Sequence, residues 1–199
     1  IISEKIEILP EYVSAKNLIN NDEQIIFVTG GAGTGKSTFV NWLASEFSGQ
    51  NIICAPTGIA AINIGGKTIH SLCQFPPAWI VRSDIKPLFK SPAAKAKLLI
   101  IDEISMVNAN LLDALNTFLK LTRKSTLPFG GITVVMVGDL FQLPPIVTDQ
   151  TRHLFNKIYD TPKFFSAKLM SESSFSCIEL TKAFRQNDQK FVDLLGNIR

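Results

Sequence analysis

Apolar positions along this chain of 199 residues come in two textures. Short, nearly continuous runs occupy Ile25 to Val28, Asn51 to Ala55, Lys97 to Ile101, Ile132 to Val137 and Cys177 to Leu180. Such runs are too brief for helices and suit strands of a parallel sheet, where both faces of each strand are covered. Other stretches repeat at helical spacing. Phe39, Val40, Leu43, Ala44 and Phe47 form one stripe, with Gly49 as the expected stop. Met106 to Leu121 predicts the clearest helix, with Val107, Leu111, Leu112, Leu115, Phe118 and Leu119 on one face. Lys120, Arg123 and Lys124 complement its C-terminal dipole, and Pro128 follows. Strands therefore alternate with helices, without internal repeats or low-complexity tracts. The pattern predicts an α/β fold, a parallel sheet with helices on both faces.

Composition narrows this little further. With 46% apolar residues the chain can bury one good core, so residues 1–199 are expected to form a single domain. A formal net charge of +3 does not announce nucleic acid, although Arg82, Lys86, Lys90, Lys95 and Lys97 face only Asp84 in their stretch, and a solvated loop explains them equally. Cys54, Cys73 and Cys177 are odd in number and form no CxxC pair, which suggests neither zinc nor a disulfide framework and fits a reducing compartment. No apolar run approaches a membrane span, and the first residues lack the build of a signal peptide. Because the chain opens on Ile1 and closes on Asn197-Ile198-Arg199 inside an apparent helix, an excised piece of a longer protein is expected.

Chemistry enters with GGAGTGKS, Gly30 to Ser37. It has the form Gly, four residues, Gly-Lys-Ser, and it joins an apolar strand to an amphipathic helix, the context a phosphate loop requires. In that setting backbone N–H groups cradle phosphates at a helix N-terminus, Lys36 meets the β and γ phosphates, and Ser37 ligates magnesium. The predicted ligands are ATP and Mg2+, with Gly31, Ala32, Gly33, Thr34, Gly35, Lys36, Ser37 and Thr38 as the nucleotide contacts. The glycine spacing does not fit GxGxxG, which argues against a dinucleotide site.

Two further segments extend the constellation. Leu98 to Ile101 runs into Asp102-Glu103, placing two carboxylates at the carboxyl end of a buried strand. Asp102 would hold magnesium, and Glu103 would orient or deprotonate the attacking water. Thr133 to Val137 ends in Gly138-Asp139 and then Gln142. Taken alone, Asp139 and Gln142 read equally as loop polars; in this order they favour a γ-phosphate sensor, stiffened by Pro144-Pro145. Arg185, beyond the last apolar run, is equally a surface arginine or an arginine finger.

In this order, DEIS (Asp102 to Ser105), GDLFQLPP (Gly138 to Pro145) and LTKAFRQ (Leu180 to Gln186) resemble the PIF and RecD-like branch of the superfamily-one DNA helicases. So do Ala55-Pro56-Thr57-Gly58-Ile59-Ala60-Ala61 and Gly65-Gly66-Lys67-Thr68-Ile69-His70-Ser71. The likeness runs from about Ile25 to Arg185. It implies a RecA-like P-loop NTPase domain, the first of two motor domains, moving 5′ to 3′ along single-stranded DNA and unwinding forks, with roles in DNA repair and telomere maintenance. It implies that Lys36, Asp102, Glu103, Gln142 and Arg185 are catalytic. It also implies that Pro56, Thr57, Gly58, His70 and Ser71 contact DNA, although a lone histidine such as His70 is ordinarily a core residue. The region 72–97 corresponds to a small family insertion; there Phe75 and Trp79 either stack on a base or pack inward, and only Phe75 is kept as a DNA candidate. The family's upstream adenine-reading glutamine is not matched, since Gln24 lies too near the strand, and the second motor domain is not in the chain. A monomer is expected, in the cytoplasm of a bacterium or in the nucleus or mitochondrion of a eukaryote. The alternative is an ATP-gated binding module with slow turnover.

Overall fold

The computed structural model describes residues 7–182. Six strands form one parallel sheet: β1 (Ile25–Gly30), β2 (Asn51–Ala55), β3 (Lys67–Thr68), β4 (Leu98–Ile101), β5 (Thr133–Gly138) and β6 (Ser176–Leu180), in the order β3-β2-β4-β5-β1-β6. Among the described residues seven α-helices accompany them: α1 (Pro10–Asn20), α2 (Lys36–Glu46), α3 (Gly58–Asn63), α4 (Ile69–Cys73), α5 (Ala109–Arg123), α6 (Asp149–Ile158) and α7 (Lys168–Glu172).

Because side chains alternate across a strand, each central strand feeds two cores. Ile25, Phe27, Leu99, Ile101, Val134 and Met136 face the core shared with α4, α5 and α7. Ile26, Val28, Leu98, Ile100, Val135 and Val137 face the one shared with α1, α2 and α3. This double burial explains the continuous apolar runs. Register brings Thr29 beside Gly138 and Gly30 beside Leu180, so the ends of β1, β5 and β6 lie together.

The long helix starts later than its apolar stripe suggests. Ile104–Met106 is a 3-10 turn, Val107 is extended, and the Asn108 side chain caps α5 by accepting from the Leu111 N–H at 2.8 Å. Likewise α2 ends at Glu46, before the positive-φ Gly49. The residues from 74 to 97 build no core of their own. Ile80 exchanges two 3.0 Å hydrogen bonds with the Asn110 side chain, and the Arg123 guanidinium donates to the carbonyls of Ala93, Ala94 and Ala96. No helix among the described residues is long and apolar enough to cross a membrane.

Candidate active site

The phosphate loop leaves β1 at Gly30 and enters α2 at Lys36. Gly30 sits where a side chain cannot: a Cβ would lie 2.5 Å from Thr34 Oγ1 and 2.8 Å from the Leu180 carbonyl oxygen. Gly33 (φ 78°) and Gly35 (φ 85°) adopt the left-handed conformation that turns successive N–H groups inward. The Thr34 side chain is buried and donates to the Gly31 carbonyl at 2.9 Å, so it staples the loop and leaves only its backbone toward a nucleotide. Lys36 Nζ donates to the carbonyls of Gly30 (2.7 Å) and Gly31 (2.8 Å). Ser37 and Thr38 are exposed on the first turn of α2, where N–H groups have no helical partner. Gly31, Ala32, Gly33, Thr34, Gly35, Lys36, Ser37 and Thr38 thus surround one helix N-terminus, suited to phosphate.

Asp102 follows β4 at its carboxyl end and is 7% exposed. Burial pushes its carboxyl up to about 6, with the Lys36 ammonium pulling the other way. Glu103 is half-buried and holds a left-handed backbone (φ 52°, ψ 44°), an uncommon state for a residue with a Cβ. Such strain persists where surrounding structure enforces it. Enforcement comes from β5: a Cβ on Gly138 would lie 2.8 Å from Ile104 Cγ2 and 3.1 Å from the Ile104 nitrogen, so the two strand ends press together.

Asp139 is buried, and its carboxylate accepts from the Phe141 N–H (3.1 Å) and from Gln142 Nε2 (3.3 Å). The sequence reading gave Asp139 no separate role; in the fold it shapes the turn that presents Gln142. Gln142 is exposed on the wall of an open cleft of about 760 Å³, whose other lining includes Thr57, Ile59, Glu103, Phe141 and Leu143. Glu103, Gln142 and the start of α3 therefore border a single space.

The segments suspected of touching DNA divide. Thr57 caps α3, its Oγ1 accepting from the Ala60 N–H at 3.3 Å, which leaves its O–H as a donor. Pro56 is half-buried, and a Cβ on Gly58 would meet nothing within 4 Å. Ser71 is exposed beside the Thr68 cap, while His70 is half-buried and its imidazole is held below its ordinary value by that burial. Phe75 requires correction. It is 6% exposed and meets Phe118 edge-on at 5.9 Å, so its ring belongs to the core and is not offered to a base. Trp79 packs on Phe155 and Tyr159. Arg185 lies outside the described residues, as does the apparent helix ending at Arg199.

One residue at this site escaped the sequence reading. Tyr12 of α1 is fully buried against α2, and its hydroxyl donates to the Gly35 carbonyl at 3.2 Å. Its only signal is a lone aromatic in a largely polar stretch shortly after Pro10.

Comparisons with known proteins come from sequence and from structure. Residues 4–197 match the family described as PIF1-like helicase. The chain is 39% identical over 198 residues to the ATP-dependent DNA helicase RRM3 of Saccharomyces cerevisiae, covering 92% of this chain and 26% of that protein. It is 37% identical over 183 residues to the human ATP-dependent DNA helicase PIF1, covering 88% and 27%. The crystal structure of Pif1 helicase from Bacteroides in complex with ADP-AlF3 and ssDNA superimposes with a TM-score of 0.90 at 43% identity, over 98% of this chain and 46% of that one. The chain thus spans about a quarter of these curated relatives and about half of the solved one. The agreement bears out the parallel sheet expected from the apolar pattern and the RecA-like fold that the resemblance implies.

Proposed function

The chain belongs to the PIF1-like helicase family, and we propose that it is the first RecA-like motor domain of an ATP-dependent DNA helicase. In this reading ATP binding and hydrolysis drive translocation on single-stranded DNA and unwinding of forks, in the 5′ to 3′ direction. The observation that carries it is the shared cleft: Glu103 and Gln142 line the same space as Thr57, so events at the γ-phosphate are felt where DNA would lie. Relatives named as ATP-dependent DNA helicases, and one solved with a nucleotide analogue and ssDNA, support the same ligands here.

Within this proposal the chain's own groups divide the work. Lys36 leaves the Gly30 and Gly31 carbonyls for the β and γ phosphates, while loop N–H groups hold the phosphate oxygens. Glu103 accepts a proton from the attacking water, Gln142 orients that water, and Arg185 faces the charge spread over the transferring phosphoryl. The residues fit magnesium: Asp102 carboxylate and Ser37 hydroxyl are hard oxygen donors, and Asp102 is buried with its charge only partly offset by Lys36. Bound with ATP, the ion would neutralise charge on the phosphates. Thr57, Gly58, Pro56, His70 and Ser71 would contact the DNA backbone without reading sequence. A second motor domain of the parent protein would cover Phe141 and Leu143, which are 73% and 70% exposed at the cleft. The protein would act as a monomer wherever DNA is kept.

The test is ATP hydrolysis by the parent protein alone, with single-stranded DNA and with duplex, using Lys36→Ala as the blank. Strong stimulation by single strands is expected. Hydrolysis indifferent to DNA would replace this reading with an ATP-gated switch.

A further inference from the structure

Gly35 is the last residue of the phosphate loop, and its carbonyl is held twice. It accepts from the Phe39 N–H at 2.8 Å, the first hydrogen bond of α2, and from the Tyr12 hydroxyl at 3.2 Å, across 23 residues of sequence. Tyr12 does not arrive there loosely. It is 0% exposed, and its ring lies 5.1 Å from that of Phe39 and 5.3 Å from that of Trp42, both on the buried face of α2. Helix α1 is itself fastened: Leu9, Ala15 and Ile19 are buried in the same core, and Lys16 pairs with Glu46 at the far end of α2.

The peptide joining Gly35 to Lys36 is planar and trans, so its C=O and N–H point in opposite directions. Holding the carbonyl on the helix side therefore aims the Lys36 N–H out of the helix start, into the space the loop encloses. Lys36 opens α2, so this N–H is turned to the loop side of the helix start, the direction in which a phosphate oxygen would lie. Gly35, at φ 85° and without a side chain, has wide backbone freedom and is a point where the loop could rotate. A hydroxyl fixed by two aromatic neighbours removes that freedom before any ligand arrives.

We propose that Tyr12 is a positioning residue for nucleotide binding, its hydroxyl pre-setting the Gly35–Lys36 peptide so that the Lys36 N–H meets a nucleotide phosphate. This rests on the reading of the loop as a nucleotide site. Since Tyr12 lies wholly inside the protein, it acts through the loop and touches no ligand. Burial raises its phenol above the ordinary value, so the hydroxyl remains a donor throughout the physiological range.

Tyr12→Phe separates the roles, because it keeps the ring packing and removes only the donor. ADP affinity by calorimetry, KM and kcat for ATP, single-stranded DNA affinity without nucleotide, and the thermal midpoint would be measured on the intact parent chain beside Lys36→Ala. Releasing the Gly35–Lys36 peptide from its preset orientation predicts ADP binding weakened about fivefold, with KM raised to match and kcat nearly kept. DNA affinity should stay close to the parent, and the thermal midpoint should fall by no more than the few degrees that one hydrogen bond is worth. Unchanged ADP affinity in Tyr12→Phe, with binding lost in Lys36→Ala, would overturn the positioning role and leave the nucleotide site standing. A parallel fall in ADP and DNA affinity would overturn it too, since that is general loosening. Undiminished ADP binding in Lys36→Ala would instead remove the nucleotide reading on which the proposal stands.

Discussion

Lys36 Nζ lies 2.7 Å from the carbonyl oxygen of Gly30, so the ammonium expected to meet phosphates is held by the loop it belongs to. The contact gives a half-buried cation a partner within the loop. It also exchanges readily, because a carbonyl is a weaker partner for an ammonium than a doubly charged phosphate.

Lys36→Ala should therefore remove most nucleotide affinity while folding normally. Arg185→Ala should keep nucleotide affinity and slow turnover by a factor on the order of 10³ or more, the effect of losing an arginine finger. Equilibrium binding and single-turnover hydrolysis of both variants check this. Equal loss of binding would contradict the assigned roles.

Asp102 makes a pH-dependent statement. A carboxyl whose value is raised in the folded state opposes folding once it ionises: the cost is absent below the ordinary 3.8, grows as pH rises, and is complete above about 6. Moving from 3.8 to about 6 corresponds to about 3 kcal/mol. Asp102→Asn should then stabilise the nucleotide-free protein at pH 8 and confer nothing comparable near pH 4. Urea midpoints at both pH values decide it; a gain independent of pH would rule out the buried charge as the cause.

Gly58 has open space where a Cβ would be, and its φ lies outside the left-handed range. Ala is also the better helix former, so Gly58→Ala should leave stability equal or slightly raised. If DNA backbone passes closely over the start of α3, the same substitution should weaken single-stranded DNA binding. Titration with a labelled oligonucleotide tests this, and unaltered affinity would remove Gly58 from the interface.

Phe75 gives the opposite pattern. Its ring is 6% exposed and rests on Phe118, so Phe75→Ala should cost about 3–5 kcal/mol through lost burial and a cavity. DNA affinity, measured where the variant is still folded, should be unchanged. A variant with parental stability and weak DNA binding would restore the stacking role.

Much of this molecule was legible in the chain because its strongest signals are local. The sheet's central strands are buried on both faces, so Leu98 to Ile101 reads as a strand without a partner in view. The phosphate loop depends on the spacing from Gly30 to Ser37 and on the strand and helix at its ends, all within one short segment. Helix α1 carried little signal, since only Tyr12, Ala15 and Ile19 of its eleven residues are buried. Strand β3 is two residues long and exists only because β2 pairs with it.

What the sequence by itself determined is the kind of fold and the place of the phosphate-loop motif in it, because periodicity and motif spacing are properties of neighbouring residues. Tertiary structure decided everything that depends on which surfaces meet. It turned Phe75 inward onto Phe118, set Glu103 in a left-handed backbone against the close approach of Gly138 to Ile104, and gathered Glu103, Gln142 and Thr57 around one cleft. It also brought the hydroxyl of Tyr12 to the carbonyl of Gly35. These are contacts between segments far apart in the chain, selected by the joint packing of both cores, and residue types along one segment do not specify them.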